Sequence, residues 1–313
     1  MKKHLILILV VLLAGCARPY SYTPLTSMQE LEYPFPTKFQ VLDETTTVAY
    51  MEVGPTSGPV LLFIHGLGSY APAWKQNLTG LQDKYRCIAI DLPGYGKSSK
   101  GAYTGSMTSY AKFVGAFITA KGLKEVTVVG HSMGGQIAMT LALTQPELVR
   151  KLVLAAPAGF ETFSPGEREW FRDGLSAKAT RLTPARQIVL NYHSNFYDMP
   201  EEADFMIRDR LAMRTATDFE WYCYIIPESV KGMVNEPVFS RLPEIKQPVL
   251  VVFGENDELI PNRFMHGGTT KEVAEAGHQK LPNSELLMLP KKGHFAHFEG
   301  FEAFNEAVRT FVK

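Results

Sequence analysis

The sequence predicts an α/β domain built on a mainly parallel sheet, with helices on both faces and a helical cap inserted between two strands. Short, uniformly apolar runs of four or five residues recur along the chain, as in strands that are buried on both faces. Segments with helical spacing alternate with these runs, which is typical of strand–helix–strand units. The alternation stops between residues 161 and 243, where several helical stretches but no clear apolar strand run are found.

Composition restricts the class of protein further. The chain has 313 residues, with 32 Lys and Arg against 32 Asp and Glu, so its formal net charge is zero. A balanced charge argues against a general nucleic-acid partner, which would need a basic surface. Three cysteines are too few for a disulfide scaffold, and we expect Cys87 and Cys223 to be separately buried thiols.

The first residues are typical of an export signal. Lys2 and Lys3 precede nine apolar residues from Leu5 to Leu13, which are too few to cross a bilayer. The following Leu-Ala-Gly-Cys sequence resembles a bacterial lipobox, so residues 1–15 are predicted to be a lipoprotein signal peptide and Cys16 the lipidated residue. An ordinary signal with an incidental cysteine is the alternative. We therefore expect an exported protein, anchored through its N-terminal lipid to a bacterial membrane, the outer membrane if the cell is Gram-negative.

The remaining chain divides into four predicted segments. Residues 16–36 contain four prolines and no helical periodicity, which predicts a tether. Residues 37–160 and 244–313 form the predicted α/β core, and residues 161–243 the helical cap. The predicted strands are Lys38–Asp43, Thr46–Val53, Val60–Ile64, Cys87–Ile90, Val126–Val129, Leu152–Ala156, Val249–Phe253 and Leu286–Leu289. The predicted core helices are Thr108–Lys121, Met133–Thr144 and Phe301–Val312.

The central motif is Gly130-His131-Ser132-Met133-Gly134, which follows a predicted strand and opens a predicted helix. A serine in this strand–turn–helix context lies on a sharp turn that exposes its hydroxyl. Glycines on either side remove Cβ atoms that would collide with the neighbouring backbone. Ser132 is therefore the candidate nucleophile.

Two later strand ends provide an acid and a base. Asp257 follows the strand Val249–Phe253, and His294 follows Leu286–Leu289, which gives the order Ser, Asp, His along the chain. In such a triad the histidine takes the serine proton and the aspartate fixes the imidazole tautomer. Glu255 and Glu258 are alternative acids. His297 is an alternative base, but His294 is favoured because it follows a glycine at the strand exit.

The predicted site also includes an oxyanion hole, and it is predicted to need no metal. His65-Gly66-Leu67-Gly68 follows the strand Val60–Ile64, so the Leu67 and Met133 backbone N–H groups would form the oxyanion hole. The glycine-rich loop from Asp91 to Ser98 lacks phosphate-loop spacing and is interpreted as structural. The residues His294, His297 and Glu299 could be metal ligands, but no matching set is found elsewhere, and we predict neither metal nor cofactor.

From about residue 38 to 313 the chain resembles the capped α/β-hydrolase superfamily. The resemblance rests on His65-Gly66, the Asp91-to-Ser98 loop, the Ser132 turn, Asp257 and Gly293-His294. Within the superfamily, Gly130-His131-Ser132-Met133-Gly134-Gly135 and Ala156-Pro157-Ala158-Gly159-Phe160 are similar to small bacterial lipases and esterases. The resemblance implies an α/β-hydrolase fold. Ser132 excludes the sister groups with an aspartate nucleophile, and His131 stands where C–C hydrolases usually carry Asn.

These observations predict a serine hydrolase that cleaves carboxylic esters through an acyl-enzyme. The expected partner is a small-molecule ester, and the expected state is a monomer. A lactone or C–C bond hydrolase of the same fold is one alternative. A lipoprotein whose hydrolase fold serves only binding is the other, although a pure binder has no need of a triad and an oxyanion hole. The sequence leaves the preferred acyl length open.

Overall fold

The computed structural model describes residues 20–313. The predicted signal peptide, Cys16 and the first residues of the predicted tether lie outside this range. The described chain folds around one sheet of eight strands in the order β1-β2-β4-β3-β5-β6-β7-β8. The strands are β1 Thr37–Val41, β2 Thr47–Val53, β3 Val60–Ile64, β4 Arg86–Ile90, β5 Thr127–His131, β6 Lys151–Ala155, β7 Val249–Gly254 and β8 Ser284–Leu289. Strands β1 and β2 pair antiparallel, as does β2 with β4, and all other pairs are parallel.

Helices cover both faces of the sheet. They are α1 Lys75–Leu81, α2 Met107–Ala120, α3 Met133–Thr144, α9 Thr270–Lys280, α10 Ala296–Glu299 and α11 Phe301–Val312. Alternate residues of the central strands enter two separate cores. Leu62 and Val128 pack in one core with α2 and α3, whereas Phe63 and Val129 pack in the other with α1 and α11. Burial on both faces explains why these strands are uniformly apolar, and it confirms the predicted fold class.

Between β6 and β7 the chain forms five helices, which are α4 Pro165–Gly174, α5 Ala177–Leu182, α6 Ala185–His193, α7 Asp204–Ala212 and α8 Phe219–Asn235. This insertion, residues 161–243, is called the cap below. Its longest helix, α8, is hydrogen-bonded to the core. The Tyr95 hydroxyl of the core donates to Ser229 Oγ of α8 at 2.8 Å. The cap is thus held over the carboxyl ends of the central strands, where ligand sites form in open parallel sheets.

Residues 20–36, the N-terminal strap, differ from the free tether that their prolines suggested. Met28 and Leu31 are buried in the main core. The Met28 N–H donates to Asp218 Oδ1 at 3.0 Å, and the Tyr33 hydroxyl donates to Asp91 Oδ2 at 2.5 Å. The strap therefore connects the cap to the core, and composition alone did not reveal the two apolar side chains that hold it there.

Candidate active site

Ser132 lies on a strained turn between β5 and α3. Its φ of 52° and ψ of −118° place a non-glycine residue in a region that costs free energy and is found mainly at functional sites. The turn is fixed on both sides, because the Ser132 N–H donates to the Ala155 carbonyl and the Ser132 carbonyl accepts from Ala158 N–H, both at 3.0 Å. The strain is thus held by two backbone hydrogen bonds to the end of β6.

Glycine is required at both ends of this turn. A Cβ on Gly130 would collide with the Gly134 carbonyl, and a Cβ on Gly134 would collide with the Ile64 carbonyl. The loop His65-Gly66-Leu67-Gly68, called the oxyanion loop below, also approaches the serine closely. A Cβ on Gly66 would lie 3.1 Å from Ser132 Cβ. The glycines let three backbone segments meet around one serine.

Asp257 and His294 form a buried, hydrogen-bonded pair. His294 Nδ1 lies 2.7 Å from Asp257 Oδ2, and the two residues are 3% and 0% exposed. The other carboxylate oxygen, Oδ1, accepts the Leu259 and Ile260 N–H groups at 2.8 and 3.0 Å. The carboxylate is therefore fixed on both oxygens, which leaves His294 Nε2 available on the opposite side of the ring.

The structure separates the predicted residues from their alternatives. Ser132 and His294 line the same cavity, whereas His297 is fully buried outside it. Glu255 and Glu258 are exposed at the surface, while Asp257 is completely enclosed. The geometry thus brings Ser132, His294 and Asp257 together and leaves the alternatives apart.

The two predicted oxyanion donors are also close to the serine. Met133 occupies the first position of α3, where the helix offers its N–H no acceptor. Leu67 lines the cavity with Ser132. The loop that carries it is held by the His65 ring, whose Nε2 accepts the Leu92 N–H at 3.1 Å and whose Nδ1 lies 2.8 Å from the Gly66 carbonyl. Burial lowers the pKa of His65, so the ring is neutral and can accept with one nitrogen while it donates with the other.

Two cavities meet at this site. The first cavity has a volume of about 540 Å³ and contains Ser132 and His294. Its apolar wall is formed by Leu67, Phe163, Met233, Val234, Pro237, Phe239, Leu259, Ile260 and Phe295. The second cavity, of about 340 Å³, lies under α5, α6 and α8 and shares Leu67, Asn195 and Phe295 with the first. Two compartments therefore adjoin the oxyanion loop.

A charged cluster forms part of the rim of the first cavity. His266 Nε2 lies 2.7 Å from Glu161 Oε1, and its Nδ1 lies 3.1 Å from Glu167 Oε1. Glu161 Oε1 also accepts the Asn262 N–H at 2.5 Å. The cluster joins the start of the cap to the loop between β7 and α9. The sequence analysis did not predict it, because its members are 105 positions apart at the extremes.

Arg210 is a second residue that the sequence did not single out. It lies on α7, is 7% exposed and lines the second cavity. Its guanidinium stacks 4.6 Å from the Tyr222 ring centre, and its Nη1 has no hydrogen-bond partner within residues 20–313. No sequence motif marks it, since its environment is created by the fold of the cap.

The described residues give no indication of a metal site. Within residues 20–313, no group of three or more His, Cys, Asp or Glu side chains is arranged to hold a metal ion. Over the same range no helix has the length and apolar character needed to span a membrane. Cys87 and Cys223 are both buried free thiols, and burial raises the pKa of Cys87 to about 12.

Comparison with known proteins assigns the family. A family profile described as the alpha/beta hydrolase fold matches residues 59–301. The chain belongs to the α/β-hydrolase family. This α/β-hydrolase is 29% identical over 280 residues to a 2-hydroxy-6-oxononadienedioate/2-hydroxy-6-oxononatrienedioate hydrolase of Burkholderia vietnamiensis, covering 85% of this chain and 91% of that protein.

Two further proteins are similar to this chain, one in sequence and one in structure. The dihydrolipoyllysine-residue acetyltransferase component of an acetoin cleaving system from Cupriavidus necator is 33% identical over 226 residues, which are 70% of this chain and 58% of that protein. This α/β-hydrolase therefore spans little more than half of that relative. The solved structure of an esterase from Exiguobacterium antarcticum matches 88% of this chain and 99% of its own, with a TM-score of 0.74 and 24% identity. At that identity the likeness shows the fold alone.

Proposed function

We propose that this α/β-hydrolase cleaves carboxylic esters through an acyl-enzyme on Ser132. The observation that carries the proposal is the Asp257–His294 pair beside a strained serine in one cavity. Asp257 holds the proton on His294 Nδ1, so Nε2 can accept the Ser132 proton as Oγ attacks the acyl carbon. The negative charge on the carbonyl oxygen is then stabilised by the Leu67 and Met133 N–H groups.

The same residues complete the reaction. His294 returns the proton to the departing alcohol oxygen as the bond between acyl carbon and that oxygen breaks. Water then gives a proton to His294 and attacks the acyl-enzyme, and collapse of the second tetrahedral intermediate restores Ser132 and releases the acid. Apart from the ester and water, both steps use only the side chains and backbone groups named above.

An active-site label tests the proposal directly. A fluorophosphonate should label the wild type covalently, and Ser132→Ala should abolish both labelling and hydrolysis of nitrophenyl butyrate, with kcat lowered about 10⁴-fold or more. Ser109→Ala, on α2 and outside both cavities, is the matched control and should leave both unchanged. Labelling that persists in Ser132→Ala would place the nucleophile elsewhere.

C–C bond hydrolysis is the second candidate, and Arg210 is the observation that favours it. Arg210 is buried, and within residues 20–313 its Nη1 has no hydrogen-bond partner. A buried cation left unpaired is costly, so an anionic ligand in the second cavity would be stabilised there. The relative from Burkholderia vietnamiensis is named for a dioate, a substrate with two carboxylates. A substrate of this class could place one carboxylate near Arg210 and its reacting carbonyl near Ser132.

A charge-removing variant separates the two candidates. If the substrate is acidic, Arg210→Gln should lower kcat/KM for a 2-hydroxy-6-oxo-dienedioate by about 10- to 100-fold, the range for a charge-assisted hydrogen bond. Hydrolysis of a neutral nitrophenyl ester should change little. Arg208→Gln, an exposed arginine on the same helix, is the control. The second candidate is excluded if the wild type hydrolyses neutral esters but no acidic substrate, or if Arg210→Gln leaves kcat/KM for acidic substrates unchanged.

We further propose that the protein is exported and held on the membrane by acyl chains on Cys16. The support is the order of basic residues, apolar run and small residues before Cys16. Each acyl chain contributes about 0.8 kcal/mol per buried methylene, so several chains anchor a domain firmly. Cys16→Ser should move the protein from the detergent phase to the aqueous phase in a partition assay. Equal aqueous partitioning of both proteins would mean that no lipid is attached.

A further inference from the structure

The α5–α6 hairpin, residues 174–197, carries charge of one sign only. It contains no Asp or Glu, although the whole chain has equal numbers of acidic and basic residues. Lys178, Arg181 and Arg186 are all exposed on it. None of them takes part in an ion pair within the described part of the chain. Three exposed cations without an ion-pair partner among residues 20–313 therefore lie on these two helices.

Large apolar side chains are exposed on the same two helices. Leu182 at the end of α5 is 65% exposed, and Leu190 on α6 is 49% exposed. Leu190 lies four residues after Arg186, so the two side chains share one face of α6. Exposed leucines beside basic residues are typical of helices that lie in the interface of an anionic bilayer.

Tyr20, the first described residue, contacts this same hairpin. The Tyr20 hydroxyl lies 3.2 Å from Nε2 of His193, the last residue of α6. Tyr20 also packs against the cluster formed by Ile188 and its neighbours. Tyr20 lies four positions after Cys16, and a fully extended chain over four positions reaches at most about 14 Å. An anchor on Cys16 would therefore hold the α5–α6 hairpin close to the lipid surface.

We infer that the α5–α6 hairpin docks on the surface of an anionic bilayer. The inference extends the proposed membrane location, but the hairpin's own charge and exposed leucines carry it without the lipid anchor. The second cavity is lined by residues of α5 and α6, among them Ala179, Thr180 and Asn191. Docking would place this cavity beside the bilayer, so an amphiphilic substrate could enter from the membrane rather than from water.

Vesicle binding of the full-length Cys16→Ser protein tests the surface separately from the anchor. Vesicles of phosphatidylcholine containing about 30 mol% phosphatidylglycerol provide the anionic surface, and pure phosphatidylcholine the neutral one. The unlipidated protein should bind the anionic vesicles and lose binding as salt is raised. Lys178→Gln, Arg181→Gln and Arg186→Gln together should weaken this binding about 100-fold, since each basic residue contributes about five-fold.

A triple variant on the core gives the matched control. Lys84→Gln, Lys112→Gln and Lys124→Gln remove three exposed charges from outside the cap and should change binding little. Both triple variants should hydrolyse a water-soluble ester at the wild-type rate, which confirms that they are folded. Absence of binding to anionic vesicles, equal binding to neutral ones, or equal losses in the two triple variants would overturn the inference. The detergent-phase partition of wild type and Cys16→Ser reports on the anchor independently.

Discussion

At the residue scale, two buried and uncharged histidine rings, those of His131 and His297, lie behind His294. The ring centres of His131 and His294 are 4.8 Å apart, and those of His131 and His297 are 4.4 Å apart. Burial lowers the pKa of His131 well below its usual value and that of His297 to about 3. Because both rings stay neutral, they do not oppose the positive charge that His294 acquires when it takes a proton.

Alanine at the two C-terminal histidines should therefore have different effects. His294→Ala should lower kcat for ester hydrolysis about 10⁴-fold or more, because it removes the base. His297→Ala should retain most of its kcat per folded molecule, while the cavity left in the core lowers the free energy of unfolding by about 2–4 kcal/mol. Rates and urea denaturation curves check both statements. Loss of activity in folded His297→Ala with activity retained in His294→Ala would reverse the assignment.

The site was predictable at residue level only where a motif and a strand end coincide. Ser132, Asp257 and His294 each follow a predicted strand, and the carboxyl ends of parallel strands meet at one edge of a sheet. Arg210 lies on a cap helix, His266 lies twelve residues after the end of β7, and neither belongs to a motif. Their surroundings are created by packing between distant segments, so no local pattern could have identified them.

At the element scale, the cluster around His266 connects the start of the cap to the loop between β7 and α9. These two segments move apart only if the hydrogen bonds of the cluster break. Hydrogen bonding to Glu167 and the charge of Glu161 raise the pKa of His266. Hydrogen bonds, first that from the Ser164 N–H, lower the pKa of Glu167 to about 2, whereas burial raises the pKa of Glu161. The charge of Asp257 also raises the pKa of Glu161.

The raised pKa of His266 predicts a loop that loosens with rising pH. The link is fully present below the ordinary histidine pKa of about 6.5 and is lost as pH rises through the higher folded value. Amide exchange of residues 262–266, corrected for the intrinsic pH dependence, should therefore lose protection above about pH 6.5. His266→Gln should show low protection at every pH, and His278→Gln, on α9, should behave as wild type. Protection that is independent of pH in the wild type would contradict this role.

Elements were predictable where their apolar pattern is complete. The five central parallel strands and α2, α3 and α11 agree with the predicted ranges to within a few residues. Helix α9 was missed because its apolar face is short, although a capping box of Thr269 and Glu272 marks its start. The N-terminal strap was missed because Met28 and Leu31 are buried by contacts with segments far along the chain.

At the scale of the whole molecule, the first cavity limits the size of the acyl group that the proposed reaction can accept. The cap, rather than the sheet, provides Phe163, Met233, Val234 and Phe239 to its wall. If the substrate is an ester, kcat/KM should rise about four-fold for each methylene that is buried, until the cavity is full. It should then fall, because a packed wall cannot be displaced at small cost.

A series of nitrophenyl esters of increasing acyl length measures this profile. We expect a maximum at short to medium chains. Met233→Ala removes wall volume and should move the maximum towards longer chains, whereas Lys124→Ala on the core surface should not. Activity that continues to rise to the longest chains, or that increases sharply at an emulsion interface, would favour a lipase with an opening cap.

The position of the cap in the chain divides the proposed catalytic residues between two halves of the protein. Ser132 precedes the cap, whereas Asp257 and His294 follow it, and the two halves meet through the pairing of β6 with β7. A single cut after the exposed Gly174, the last residue of α4, would thus produce two fragments, neither of which holds all three proposed catalytic residues. Activity should survive such a nick under native conditions, disappear when the fragments are separated in denaturant, and return when they are mixed. The protein is thereby suited to use as a split enzyme whose output reports the reassociation of its halves.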